Sequence, residues 1–109
     1  MIKRLKFYLE ELVDRMINQL PDELFKSDST TFLDPSMAGG QFVKAVEERL
    51  RKYGQSDSNI SKRVFGLVEN ELRLNYVKNT HKLNGNYSVC TVDDFFENKS
   101  INNMDFNVV

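Results

Sequence analysis

Three acids in this sequence stand where chemistry could be done. Asp34 closes the run Thr30-Thr31-Phe32-Leu33, Glu69 closes Val64-Phe65-Gly66-Leu67-Val68, and Asp94 follows soon after Tyr87-Ser88-Val89-Cys90-Thr91. Each run is short and rich in β-forming residues, so each acid is expected at or near a strand end. Behind Asp34 comes Pro35-Ser36-Met37-Ala38-Gly39-Gly40-Gln41-Phe42, a proline stop and a glycine pair that lead into a helical pattern. Glycines at a helix N-terminus let a ligand approach the backbone, and the free N–H groups with the helix dipole attract negative charge. The familiar phosphate loops do not fit, however. Gly39 and Gly40 are adjacent rather than spaced as G-x-G-x-x-G, and no Lys-Ser or Lys-Thr pair follows Gly40 as a P-loop requires. Asp34 would also face a pyrophosphate with like charge. A ligand carrying a positive centre suits it better, and S-adenosylmethionine, with a sulfonium, an ammonium and no phosphate, is one.

The rest of the titratable inventory is sparse. Cys90 is the only cysteine, which excludes an internal disulfide and a cysteine metal cluster. His81 is the only histidine; it falls near the end of a helical stretch, with no nucleophile or metal cluster to make it catalytic. Lysines and arginines are scattered over the helices and read as solvated faces, and a net charge of -1 gives no basic stripe for nucleic acid. No apolar run approaches the ~18 residues of a membrane span. The basic N-terminus has no apolar region behind it, so no secretory signal is read there and a cytoplasmic setting is expected.

The elements that must position the acids follow from periodicity. Leu5, Leu9, Leu12, Val13, Met16, Ile17 and Leu20 recur at helical spacing, giving an amphipathic helix that ends near Pro21. A strand at 30–33 leads through the glycine turn into a helix that runs to about Tyr53, with Phe42, Val43, Val46 and Leu50 on its apolar side. Residues 54–59 read as a polar loop, 64–68 as a buried parallel strand, 70–81 as a helix, 84–86 as a turn and 87–91 as a third strand. Asp105-Phe106-Asn107-Val108-Val109 reads as the start of a fourth. The alternation argues for an α/β fold, a parallel sheet with helices on both faces, in which ligands bind at the carboxyl ends of the strands. Residues 1–29 then form an N-terminal helix and linker, and 30–109 an incomplete sheet domain. Because the sequence stops inside an apolar strand, it is expected to be the N-terminal part of a longer protein. An open strand edge would favour self-association.

Asp34-Pro35-Ser36-Met37-Ala38-Gly39-Gly40-Gln41-Phe42 resembles the D-P-x-x-G-x-G-x-F motif of the S-adenosylmethionine-dependent amino-methyltransferases, the family that methylates adenine-N6 in DNA. The resemblance extends over most of the chain. Phe65-Gly66-Leu67-Val68-Glu69-Asn70 is similar to the family's second motif, a strand ending in an acid that binds the ribose hydroxyls. Val92-Asp93-Asp94-Phe95-Phe96 is similar to the third, which meets the adenine ring. Residues 104–109 resemble the strand that leads into the catalytic Asn-or-Asp-Pro-Pro-aromatic tetrapeptide, which is not present. The resemblance implies a Rossmann-like methyltransferase fold, S-adenosylmethionine as cofactor and DNA as the partner of the full-length parent. It implies that Asp34, Pro35, Ser36, Ala38, Gly39, Gly40 and Phe42 form the methionine-side turn. Glu69 and Asn70 would take the ribose, and Asp94 and Phe95 the adenine, with Phe96 in the core. Two departures stand out: Ala38 occupies the first glycine position, and Glu69 lies three residues after Gly66 rather than two, with Glu71 as the alternative. The same motifs serve RNA and protein-glutamine methyltransferases. A non-catalytic binding module, or half of a dinucleotide-binding oxidoreductase, stands as the reading from another class. Residue by residue, the plain alternatives are a turn or capping aspartate at Asp34, a tight turn at Gly39-Gly40, and a helix-start acid at Glu69.

Overall fold

A computed structural model describes residues 2–35 and 37–90, with side chains from residue 10 onward. Among these residues five helices and three strands follow in order: α1 (Ile2–Asn18), α2 (Glu23–Lys26), β1 (Phe32–Asp34), α3 (Gln41–Lys52), α4 (Asp57–Arg63), β2 (Val64–Val68), α5 (Glu71–His81) and β3 (Asn86–Val89). The strands form one parallel sheet in the order β1-β2-β3. Phe32 pairs with Val64 and Asp34 with Gly66, while Gly66 pairs with Tyr87 and Val68 with Val89. The chain is therefore α/β with a parallel sheet, as its pattern predicts. The expected fourth strand at 105–109 lies outside the described residues.

Local chemistry explains most boundaries. Ser56 caps α4 by accepting from the Asn59 amide at 3.1 Å, and Asn70 caps α5 by accepting from the Arg73 amide at 2.9 Å. The turn after α3 closes on Gly54, whose φ of 85° is open to glycine at no steric cost. The polar loop expected at 54–59 is corrected by α4. Its residues look like loop residues because Ile60 is its only buried apolar side chain. Burying that one side chain contributes about 2 kcal/mol, and the Ser56 cap holds the first turn. β1 begins at Phe32 rather than Thr30, since ladder pairing with β2 starts there, and β3 begins at Asn86, one residue before the expected start.

One face of the sheet carries the core. Phe32, Val64, Val68 and Tyr87 lie on it together, and every helix contributes: Ile17 from α1, Phe25 from α2, Val43, Val46 and Leu50 from α3, Ile60 from α4, Leu74 and Val77 from α5. Both crossovers run in the same direction across the sheet, and the right-handed rule then puts α3 and α5 on the same side. Among the described residues the helices cover that one face, not both as expected. Leu33 and Leu67 alternate to the opposite face and are buried as well. Phe25 stacks between Phe32 and Tyr53, with ring centroids 5.4 and 6.4 Å away, and so seats α2 against β1 and the end of α3.

Among the described residues two charged side chains sit inside the fold. Arg63 corrects the expectation that the lysines and arginines form solvated faces: it is buried and donates to the carbonyls of Thr30 (2.7 Å) and Leu24 (3.0 Å) and to Asn59 Oδ1 (3.0 Å). It ties α4 to the segment entering β1, and burial pulls its pKa down. Glu47, fully buried in α3, accepts from Arg51 Nη2 (2.9 Å) and the Asn84 amide (2.8 Å) on one oxygen. On the other it accepts from the Gly85 amide (3.1 Å) and the Tyr87 hydroxyl (2.5 Å). A buried carboxylate is tolerated when its lone pairs are met this way. Burial, then the hydrogen bond to Glu47, pushes the Tyr87 hydroxyl well above its ordinary pKa. No helix among the described residues is long and apolar enough to cross a membrane.

Candidate functional site at the carboxyl edge of the sheet

Asp34 is the last residue of β1, half-buried, at the edge where the sheet's strands end. The chain then folds over the core face rather than away from it. The Met37 amide donates to the Leu67 carbonyl at 3.1 Å, extending the β1–β2 contact past the end of β1. Buried Met37 lies above Gly66, where an added Cβ would meet Met37 Sδ and the Tyr87 ring at 2.5 and 2.7 Å. Gly66 thus serves packing: it makes room for the methionine that pins the turn.

The turn closes with the Gly40 amide donating to the Met37 carbonyl at 2.7 Å. Two of its residues are left-handed, Ala38 at φ 44° and Gly40 at φ 82°. The glycine-to-alanine departure at position 38 therefore falls on a conformation that costs a side-chain-bearing residue about 1 kcal/mol or more. The two glycines differ in kind. At Gly40 an added Cβ would meet Val77 Cγ1 at 2.5 Å and His81 Cδ2 at 3.1 Å, both on α5. At Gly39 the three atoms nearest an added Cβ all belong to the end of the neighbouring Gln41 side chain, the first at 2.7 Å. The close approach at Gly40 is made by α5; the nearest obstacle at Gly39 is a flexible side chain.

On the next strand, Glu69 follows Val68 and is exposed, with Arg73 Nε 3.7 Å from one carboxylate oxygen. A solvent-screened pair of this kind contributes little and leaves the carboxylate accessible. Asp34 is level with Gly66, so Glu69 lies three residues further along. With a rise of about 3.3 Å per residue and a strand spacing of about 4.8 Å, the Cα atoms of the two acids are about 11 Å apart, mostly in the strand direction. Asn70 spends its side-chain oxygen on the α5 cap. Glu71, the alternative acid, lies in the first turn of α5. An open cavity of about 510 Å³ is bordered by Asn70, Leu72, Arg73 and Tyr76. Phe42 packs against the core from the first turn of α3. Ser36, Asp94, Phe95 and Phe96 lie outside the described residues.

His81 is the residue that sequence reasoning left without a role. Its Nε2 is 2.8 Å from the Gly39 carbonyl oxygen. A carbonyl only accepts, so Nε2 carries the proton and donates. Nothing in the sequence links positions 39 and 81, which are 42 residues apart. Glu47 did carry a signal: it lies within the stripe Val43-Val46-Leu50 rather than opposite it. Among the described residues, no group of three histidine, cysteine or acidic side chains could hold a metal ion. No family model matches the chain, and no curated protein or solved structure matches it.

Proposed function

We propose that the chain carries the S-adenosylmethionine-binding part of a DNA adenine-N6 methyltransferase, acting in a cytoplasmic setting. The observation that carries the proposal is the paired edge: Asp34 ends β1 and Glu69 follows the end of the adjacent parallel strand β2, beside a left-handed turn in which Gly39 is crowded by the flexible Gln41 side chain. In this reading Asp34 faces the cationic methionine end and Gly39 lets the ligand approach the backbone. Glu69 accepts from the ribose diol about 11 Å away, as a carboxylate with four lone-pair sites can. The absence of a phosphate-type loop and the leading carboxylate both favour a ligand with a positive centre over a dinucleotide. Methyl transfer itself needs an amino group held in line with the activated methyl, a matter of positioning more than of acid–base chemistry. The two prolines, Pro21 and Pro35, are far apart, so this chain has no Pro-Pro clamp and is expected not to transfer methyl groups by itself.

Isothermal titration tests the reading. S-adenosylmethionine and its demethylated product should bind, and NAD should not. Asp34→Ala and Glu69→Ala should each weaken binding about tenfold or more, the loss of a charge-assisted contact. Binding of NAD in preference, or equal affinity in both variants, would overturn the assignment.

A further inference from the structure

The glycine turn is held on β2 by Met37 and on α5 by two side chains, Val77 and His81. Val77 and His81 fill the space beside Gly40, where no Cβ fits. His81 Nε2 donates to the Gly39 carbonyl at 2.8 Å. The turn's own hydrogen bonds are Gly40 N to Met37 O at 2.7 Å, and Lys44 N to Gly40 O at 2.9 Å. The peptide that joins Gly39 to Gly40 is thus held at both ends, its N–H by Met37 within the turn and its carbonyl by His81, across 42 residues of sequence. Its carbonyl is directed at α5, and the peptide's orientation is set as a result.

We propose that His81 is a positioning residue for the turn: its Nε2–H holds the Gly39 carbonyl against α5, which fixes the backbone that a ligand at the carboxyl edge meets. The interaction needs a donor at one point and no charge. A glutamine in place of His81 can supply such a donor, since its terminal amide nitrogen reaches nearly the same point as Nε2. Phenylalanine keeps the ring's bulk and has no donor. The proposal names the turn-holding contact whether or not the ligand is S-adenosylmethionine; its consequence for cofactor affinity rests on the proposed function above.

The test compares the 109-residue chain with His81→Phe and His81→Gln. Amide hydrogen exchange is followed by NMR at Gly40 and Lys44, beside a titration with S-adenosylmethionine. Loss of one partly buried hydrogen bond corresponds to about a fivefold change. His81→Phe should therefore speed exchange at these amides about fivefold and weaken cofactor binding by a similar factor. His81→Gln should return both to within about twofold of the original. Unchanged exchange in His81→Phe, or His81→Gln behaving like His81→Phe, would overturn the proposal. If the original chain binds no S-adenosylmethionine, the cofactor reading fails alone, and the exchange data still decide the role of His81.

Discussion

Replacing Gly40 by alanine should cost about 2–4 kcal/mol of stability, and replacing Gly39 almost nothing. At Gly40 the backbone is left-handed, φ 82°, which costs an alanine about 1 kcal/mol. The new methyl would also stand 2.5 Å from Val77 Cγ1 in a packed interface, and such overpacking typically adds about 1–3 kcal/mol. At Gly39 the methyl's nearest neighbours are the movable end of Gln41. The small cost of moving it is offset by the roughly 0.4–1 kcal/mol an alanine contributes by narrowing the unfolded ensemble. Urea unfolding followed by circular dichroism separates the two. With m of about 1.5–2 kcal/mol/M, the Gly40→Ala midpoint should fall by about 1–2 M and the Gly39→Ala midpoint should stay put. The ligand arm reverses the order: Gly39→Ala, by crowding the open face of the turn, should weaken cofactor binding without unfolding the chain. A Gly40→Ala protein as stable as the original would refute the seating of α5 on the turn.

Other expectations follow from the buried groups. Glu47→Ala strands the Tyr87 hydroxyl and the amides of Asn84 and Gly85, and should cost about 3–5 kcal/mol in urea unfolding. Tyr87→Phe leaves Glu47 three of its donors and should cost only about 1 kcal/mol. The Tyr87 hydroxyl has its pKa raised in the fold by burial and by Glu47, so its contribution is whole below the ordinary tyrosine value of about 10 and is lost as pH climbs above it. Stability should therefore fall with pH above about 10, less steeply in Tyr87→Phe. An absorbance titration of tyrosine ionisation that showed Tyr87 ionising at its ordinary value in the folded chain would contradict this.

How much of this was legible in the sequence depends on what kind of force sets each feature. β2 was readable to the residue because Val64–Val68 is a continuous apolar run, and a strand between two others has no other way to appear. The α5 start was readable because Asn70 is a good cap. α4 was not, since Asp57, Ser58, Asn59 and Ser61 favour turns, and Arg63, which anchors the helix, finds its partners Thr30 and Leu24 only in the folded chain. β1 was placed two residues early because Thr30 and Thr31 have strand propensity, whereas pairing, not propensity, decides where a ladder begins. At the site, the acids could be located from the ends of apolar runs. The division of labour between Gly39 and Gly40 could not, because it is set by Val77 and His81, neighbours in space and not in sequence. Glu47 is the same case: its partners on the loop before β3 come together only once the sheet has formed.

The most direct test of the central claim is an NMR titration of the isotope-labelled chain with S-adenosylmethionine. Saturable shifts are expected, confined to the β1 end and its turn, Asp34 to Gln41, and to Glu69–Asn70 just after β2. Shifts centred elsewhere, such as the smaller groove of about 120 Å³ lined by Glu10, Asp14 and Lys44, or no shifts at all, would contradict it.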